Sequence, residues 1–446
     1  MLSLGPNTPL YPSARLYIPI KLKFVLCQLG ALLWVAFSVY LSRPWLHSFS
    51  RYVSFPGALF IITGLAYIPG YLNAFQVVSL LLDRQPPLRD EDPKLPVTIL
   101  IAAWNEERGI VETLRKIACQ DYSGKINVLV VDNNSTDGTT ETALRCAEEF
   151  GLDVKCLLET RPGKNHALNH GLQHVETELV ITLDADTLLH PSAIRHLVSR
   201  YVSSPNDVCA VAGAVLVRNS RATTLARMQE WDYFLGIAST KRLQGMYRST
   251  LVAQGAFSLY RTDSVREVGG WPDAIGEDIV LTWRFFYQGW TVYFEPLAVA
   301  FTDVPVRFKH FARQRSRWAR GMIEGLKEVK PWQNPVAFSK FLTGVDLVIP
   351  YIDVTYTFCW IPGLVLCMFG KFYIVGPLTL LVLPITLLSN LVLYMYQRRV
   401  FKRLNLRIRR NRVGFVTYVL LYQMMMSPIS VWGYIQEFFQ LRRVWK

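Results

Sequence analysis

The chain has 446 residues, of which 51% are hydrophobic and only 18% charged, and its mean hydropathy is +0.20; that balance is apolar for a soluble protein and points first to a membrane protein. The formal net charge of +14 would suit nucleic acid or anionic lipid, but the basic residues sit beside apolar runs and no helix-turn-helix or aromatic ribonucleoprotein pattern occurs. Lipid headgroups and a phosphorylated substrate are therefore the expected partners, and nucleic acid is not. The cysteines include no C-x-x-C pair, which argues against a zinc knuckle or a disulfide framework and for a reduced, cytosolic soluble part.

Residues 24–41 carry no charge and are just long enough to span about 30 Å of hydrocarbon at about 1.5 Å per residue. The long segment before them and the Ser42-Arg43-Pro44 after them argue against a signal peptide. A second uncharged run, 55–82, holds Pro69 and Gly70, which membrane helices tolerate where neighbours satisfy the freed carbonyls. Together these runs predict a transmembrane hairpin over residues 1–82, followed by a Pro-rich polar linker, 83–96. Residues 97–330 then read as a soluble α/β domain in the manner of a parallel sheet. Its strands are expected at 97–102, 128–131, 154–158 and 179–183, and its helices at 109–119, 138–150, 165–174 and 192–201.

After Pro331 the chain is apolar again, with runs at 342–370, 372–396 and 413–439 and a loop dense in Arg and Lys at 398–412. The positive-inside bias puts that loop in the cytoplasm, and Arg15, Lys21 and Lys23 put the N-terminus there too. The α/β domain then lies on the cytoplasmic side. Arg442, Arg443 and Lys446 fit this poorly if all three runs cross, which leaves open whether the last one spans or lies at the interface. Asp346 and Asp353, seven residues apart, share one helical face. Such charges face protein or a watery cavity; an interfacial Asp346 and an arginine partner for Asp353 would account for them equally well.

Residues 180–186 read V-I-T-L-D-A-D, so Asp184 and Asp186 project on the same side at a strand end. Paired carboxylates of this kind can hold Mg2+ or Mn2+ against a diphosphate, although Asp is common in any turn. Asp132 ends another apolar strand and Glu106 follows the first one; strand ends facing a crevice are where open α/β sheets bind nucleotides. Asp137 reads as a plain helix N-cap. Lys164 opens a helix where an anion could sit. His166, His170 and His174 on that helix could ligate a metal, but an ordinary packing face needs no more. Glu277 and Asp278 follow the turn Gly269-Gly270-Trp271-Pro272. Asp278 is the candidate general base, against the alternative of a charged helix start. Gln314-Arg315-Ser316-Arg317-Trp318 offers a guanidinium for phosphate oxygens and an indole on which a sugar can stack, though an interfacial helix could contain the same residues.

In this order and spacing, Asp132, Asp184-x-Asp186, the Glu277 and Asp278 pair and Q-x-x-R-W at Gln314, Arg317 and Trp318 resemble the processive family 2 glycosyltransferases. Cellulose, chitin, hyaluronan and poly-N-acetylglucosamine synthases belong there; residues 290–321 and the overall size look closest to bacterial poly-β-1,6-N-acetylglucosamine synthases. The resemblance implies a GT-A type α/β domain inserted between transmembrane helices, with interfacial helices near 305–330. It implies that Asp184 and Asp186 hold the metal, and that Asp132, Lys164, Asp184, Glu106 and Arg317 bind the UDP-sugar. Gln314, Trp318, Phe257 and Glu277 then face the acceptor, and Asp278 is the base. It further implies inverting polymerisation of a UDP-sugar, with UDP-N-acetylglucosamine as the expected donor, and export of the growing polysaccharide. The expected location is a bacterial inner membrane, with small membrane or outer-envelope export subunits as partners. Two departures stand out: Gly276 occupies the place of a usual threonine, and residues 254–258 lack the cysteine of cellulose synthases. A non-processive transferase acting on a lipid phosphate would share the strand-end aspartates but generally lacks Q-x-x-R-W. A transport or receptor protein that only binds nucleotide-sugar is the alternative from another class.

Overall fold

The computed structural model describes residues 18–83, 86, 88–376 and 382–441; Arg15, Arg442, Arg443 and Lys446, on which part of the expected topology rests, lie outside them. Among the described residues four helices are long and apolar enough to cross a membrane, Ile20–Val53, Phe55–Leu81, Ala337–Met368 and Arg412–Phe438, and they mark the chain as a membrane protein. The first is α1 (Ile20–Val53); the second is α2 (Phe55–Ile62), a π-turn at Thr63–Tyr67 and α3 (Ile68–Leu81). The π-turn ends just before Pro69, whose ring presses on the carbonyl four residues back and which donates no hydrogen bond; a wider turn absorbs both effects.

The α/β part follows in the order β1 (Val97–Ala103), α4 (Gly109–Ala118), β2 (Ile126–Asp132), α5 (Thr139–Phe150), β3 (Asp153–Leu158), α6 (Lys164–Leu172), β4 (Leu179–Leu183), β5 (Leu188–Leu189) and α7 (Ala193–Val202). It continues with β6 (Val208–Val217), α8 (Thr224–Trp231), a π-turn at Asp232–Ile237, α9 (Ala238–Met246), β7 (Phe257–Arg261), α10 (Thr262–Glu267), α11 (Glu277–Tyr287), β8 (Thr291–Thr302) and α12 (Phe308–Glu328). The strands form one sheet in the order β3-β2-β1-β4-β7-β6-β8-β5. Strands β1 to β4 pair in parallel as the sequence predicts; the apolar runs of β1, β2 and β4 are largely buried on both faces, as covered parallel strands require, whereas β3, at the sheet edge, is half-buried to exposed. The whole sheet is nevertheless mixed, because β7 runs antiparallel to β4 and β6. Phe257 pairs with Leu183, so β7 starts beside the end of β4, and the loop before it, residues 247–256, is delivered to the carboxylates that follow β4.

After α12 come α13 (Ala337–Thr355), a π-turn at Tyr356–Trp360, α14 (Ile361–Met368), α15 (Val382–Arg403) and α16 (Arg412–Phe438). The second membrane π-turn again precedes Ile-Pro-Gly, here Ile361-Pro362-Gly363. Among the described residues Asp353 has no arginine partner: its carboxylate accepts hydrogen bonds from Ser427 Oγ (2.8 Å) and Tyr434 Oη (2.7 Å) and so fastens α13 to α16. The expected run 372–396 includes 377–381, outside the described residues; its described parts are an irregular stretch at 372–376 and the first part of α15, which is not among the four apolar helices. The expected loop 398–412 starts inside that helix, since α15 continues to Arg403. Val400 and Leu404 pack against Ala212, Leu216 and Phe294 of β6 and β8. Asn411 then clamps the start of α16 to α8: its Nδ2 donates to Arg227 O (2.8 Å) and Glu230 Oε2 (2.6 Å), while Trp231 Nε1 donates to Asn411 O (2.8 Å).

Candidate active site

A cleft of about 670 Å³ opens at the ends of β1, β2 and β4, within the roughly 300–1,000 Å³ of small-molecule sites. The turns after β1 and β2 brace each other: Asn105 N donates to Ser135 Oγ (2.9 Å) and Thr136 N to Asn105 Oδ1 (2.8 Å). Asn105 and Asn134 adopt left-handed φ of 55° and 62°, which Asn tolerates better than most residues. Asn133 donates to Glu159 O (3.0 Å) and Arg161 O (2.6 Å) and accepts from Gly163 N (2.8 Å). It thereby joins the end of β2 to the turn that opens α6, and so aims Lys164.

Asp184, Ala185 and Asp186 leave the end of β4. Ala185 is tucked into the core, and its carbonyl accepts a hydrogen bond from Thr113 Oγ1 at 2.7 Å, so the two aspartates flank an anchored residue. Lys164 Nζ lies 2.5 Å from Asp184 Oδ1 and 3.8 Å from Glu277 Oε1. A Cβ on Gly255 would come within 2.9 Å of that amine, so glycine here leaves room for it. Burial works to lower the Lys164 pKa, but Asp184 and Glu277 outweigh it and hold the ammonium above the ordinary lysine value. Burial raises the Asp186 pKa, with the Asp184 charge adding to it. Glu277 is pushed up to about 7 by burial, opposed by Lys164 and reinforced by Asp278.

Helices α11 and α12 bring the remaining groups. Their backbones touch at two glycines, since a Cβ on Gly276 would lie 2.6 Å from Gly321 Cα, and Gly276 N donates to Glu324 Oε2 (3.0 Å). The threonine usual in the family would not fit this contact. Asp278 Oδ1 accepts from Ile279 N (2.8 Å) and Asp278 O from Thr282 Oγ1 (2.7 Å). Gln314, Arg317, Trp318 and Gly321 line the cleft from one face of α12, as helical spacing requires. Gln314 Oε1 and Arg317 Nε are buried without hydrogen-bond partners, the state of groups that await a ligand. Arg315 of the same motif turns the other way. It is 2% exposed, pairs with Asp232 at 2.8 Å and stacks 4.1 Å over Trp318.

Glu106, Lys164, Asp184, Asp186, Glu277, Asp278, Gln314, Arg317 and Trp318 thus meet around one cleft, and two other candidates do not line it. Asp132 spends its carboxylate on the turn below it, accepting from Ser135 N (2.8 Å) and Thr140 Oγ1 (2.6 Å), and its neighbour Asn133 faces the cleft instead. Phe257 is fully buried in the sheet core, its ring lying over Gly213; residues 254–256 before it line the cleft. The sequence reading missed Tyr233, Lys241 and Asp303, all on the cleft wall. Burial pushes the Lys241 amine down to about 7, with Asp278 opposing. Asp303 is committed to Arg218 at 2.5 Å. The histidines of α6 form no metal centre: among the described residues no group of three or more His, Cys, Asp or Glu is placed to hold an ion, and His170 instead lies 3.6 Å from Glu159. Two carboxylates without a third protein ligand suit Mg2+ or Mn2+, which complete their shells with water and substrate phosphate.

The chain belongs to the family described as Glycosyltransferase like family 2, whose profile matches residues 93–321, a stretch that contains the entire sheet and every residue lining the cleft. Within the family it is similar to the poly-β-1,6-N-acetyl-D-glucosamine synthase of Staphylococcus aureus, at 30% identity over 274 residues, 59% of this chain and 65% of that one. The Staphylococcus epidermidis synthase is 27% identical over 284 residues, 63% of this chain and 67% of that one. The match thus spans just under two thirds of the S. aureus relative's length. Among solved structures, the mannosyltransferase PcManGT of Pyrobaculum calidifontis, in complex with GDP-Man and Mn2+, superposes with a TM-score of 0.59 at 21% identity, covering 86% of this chain and 99% of that one. That likeness supports the GT-A type fold.

Proposed function

We propose that this chain is an inverting, processive synthase that polymerises a β-linked polysaccharide from UDP-N-acetylglucosamine at the cytoplasmic face of a bacterial inner membrane and exports it. The observation that carries the reading is the convergence on one cleft of a carboxylate pair, a second carboxylate pair at a helix start, and an unpartnered guanidinium with an indole beside it. Asp184 and Asp186 would hold Mg2+ or Mn2+, which when bound neutralises charge on the departing diphosphate. Lys164 and Arg317 supply further positive charge to the phosphate oxygens. Trp318, 44% exposed, offers its ring to the acceptor sugar.

Asp278 takes the proton of the acceptor hydroxyl. That oxygen attacks the anomeric carbon from the side opposite UDP, the bond from that carbon to the diphosphate oxygen breaks, and UDP leaves with the electron pair, inverting the configuration. The growing polysaccharide is then the next acceptor. The exposed arginines of α15 and the loop after it face the cytoplasm and anionic lipid headgroups, and small membrane or outer-envelope subunits are the export partners.

The test uses purified full-length protein with Mn2+ and UDP-N-acetylglucosamine, scoring UDP release and product length. Asp278→Asn should abolish transfer while retaining UDP binding; an Asp278→Asn enzyme that polymerises at the wild-type rate would falsify the assignment.

A further inference from the structure

The wall of the cleft formed by α9 carries a side chain without a role in the reaction above. Tyr233, Ile237 and Lys241 all line the cleft, and they share that wall because the π-turn Asp232–Ile237 interrupts the helix. In an unbroken α-helix each residue turns about 100°, so Tyr233 and Lys241, eight positions apart, would diverge by about 80°. One extra residue accommodated in a π-turn removes about 100°, which returns them to within about 20° of each other. Such turns recur at functional sites, and this one places Lys241 on the wall of the same cleft that Asp278 lines.

Lys241 Nζ donates to Val252 O at 2.9 Å, and no carboxylate among the described residues forms an ion pair with it. An ammonium has three N–H donors and a neutral amine still donates, so hydrogen-bonding capacity remains for an occupant of the cleft. The neighbouring Ala253 N donates to Thr282 Oγ1 (3.0 Å), which donates in turn to Asp278 O. One short segment therefore ties the Lys241 amine to the backbone of the base. Lys164, the other lysine on the cleft, is by contrast committed to Asp184 and Glu277.

We propose that Lys241 is a positioning residue for the acceptor: its amine hydrogen-bonds an oxygen of the terminal acceptor sugar and so fixes which hydroxyl reaches Asp278. This rests on the polysaccharide-synthase reading and deepens it, because the linkage formed would be set from the α9 wall.

The experiment measures UDP-N-acetylglucosamine transfer to a β-linked N-acetylglucosamine oligomer by full-length wild type, Lys241→Met and Lys241→Arg, with UDP affinity by calorimetry and product linkage by NMR. Lys241→Met should raise the acceptor KM by about tenfold or more, as for one lost charge-assisted hydrogen bond, with UDP affinity unchanged and more than one linkage in the product; Lys241→Arg should restore most of the loss. A folded Lys241→Met with wild-type acceptor KM and a single linkage overturns the proposal, as does a parallel loss of UDP affinity. If Lys241→Met does not fold, Lys241→Leu, likewise without an N–H donor, carries the same comparison. A wild-type chain that binds UDP but transfers no N-acetylglucosamine would instead sink the polysaccharide-synthase reading itself.

Discussion

The contact between Gly276 and Gly321 sets the spacing between Asp278 and Arg317, and one added carbon tests it. A Cβ on Gly321 would lie 2.8 Å from Gly276 Cα and 3.2 Å from Gly276 N. Both are backbone atoms, which cannot swing aside as the end of a flexible side chain can. Reaching ordinary contact at about 3.5 Å requires α11 and α12 to part by about 0.7 Å. Asp278 lies two residues beyond Gly276 and Arg317 one turn before Gly321, so the widening falls between them. A misplacement near 1 Å can cost about a hundredfold in rate, and overpacking costs about 1–3 kcal/mol of stability. Gly321→Ala should therefore lose about tenfold to a hundredfold in turnover, measured as UDP release by folded, full-length enzyme. Gly325→Ala, one turn further along α12, is the control, because its Cβ would meet Trp283 Cδ2 at an ordinary 3.5 Å. Equal turnover in the two variants would refute the idea that the paired glycines set the geometry.

Two further outcomes follow from the charges around the cleft. Glu277, raised to about 7 in the folded protein, binds a proton more tightly there than in the unfolded chain, where its pKa is about 4.3. The stability this contributes is full below the unfolded value and lost as pH rises through 7, so Glu277→Gln should lose less melting temperature than wild type between pH 5 and 8. Arg315→Met leaves Asp232 buried without its ion pair and should destabilise the protein by about 3–5 kcal/mol, whereas replacing both partners with apolar residues of similar volume should recover most of that; thermal unfolding of the three proteins decides.

Strands β1, β2 and β4 were legible because apolar runs rich in β-branched residues end in polar turns, and β3 from the short apolar stretch at 154–158; the observed bounds of all four differ from the expected ones by two residues at most. β8 was not legible, because Glu295 and Pro296 interrupt its pattern and a proline argues against an interior strand. The structure accommodates them in a register irregularity, where Ala212 pairs with Phe294 but Ala214 with Val299, and buries Glu295 against Arg200 at 2.8 Å. The acidic pairs and Q-x-x-R-W stood out because their chemistry is local to a few consecutive residues. Lys241 and Tyr233 did not, since only the π-turn brings them onto one wall. Asp132 lies off the cleft wall for a related reason: a strand end indicates the neighbourhood of a crevice, but the hydrogen bonds of the turn decide which of two adjacent side chains faces it.

The Asn411 clamp would make lipid a variable at the cleft if α16 crosses the bilayer. At 27 residues, α16 is about 40 Å long, more than a hydrocarbon core of about 30 Å accommodates upright, so if it crosses the bilayer its inclination follows the depth of the surrounding acyl chains. Because its first turn is fixed to α8, that inclination is transmitted along the helix that carries Tyr233. Reconstitution in short-chain and long-chain phospholipids would then alter sugar incorporation without any change in protein sequence.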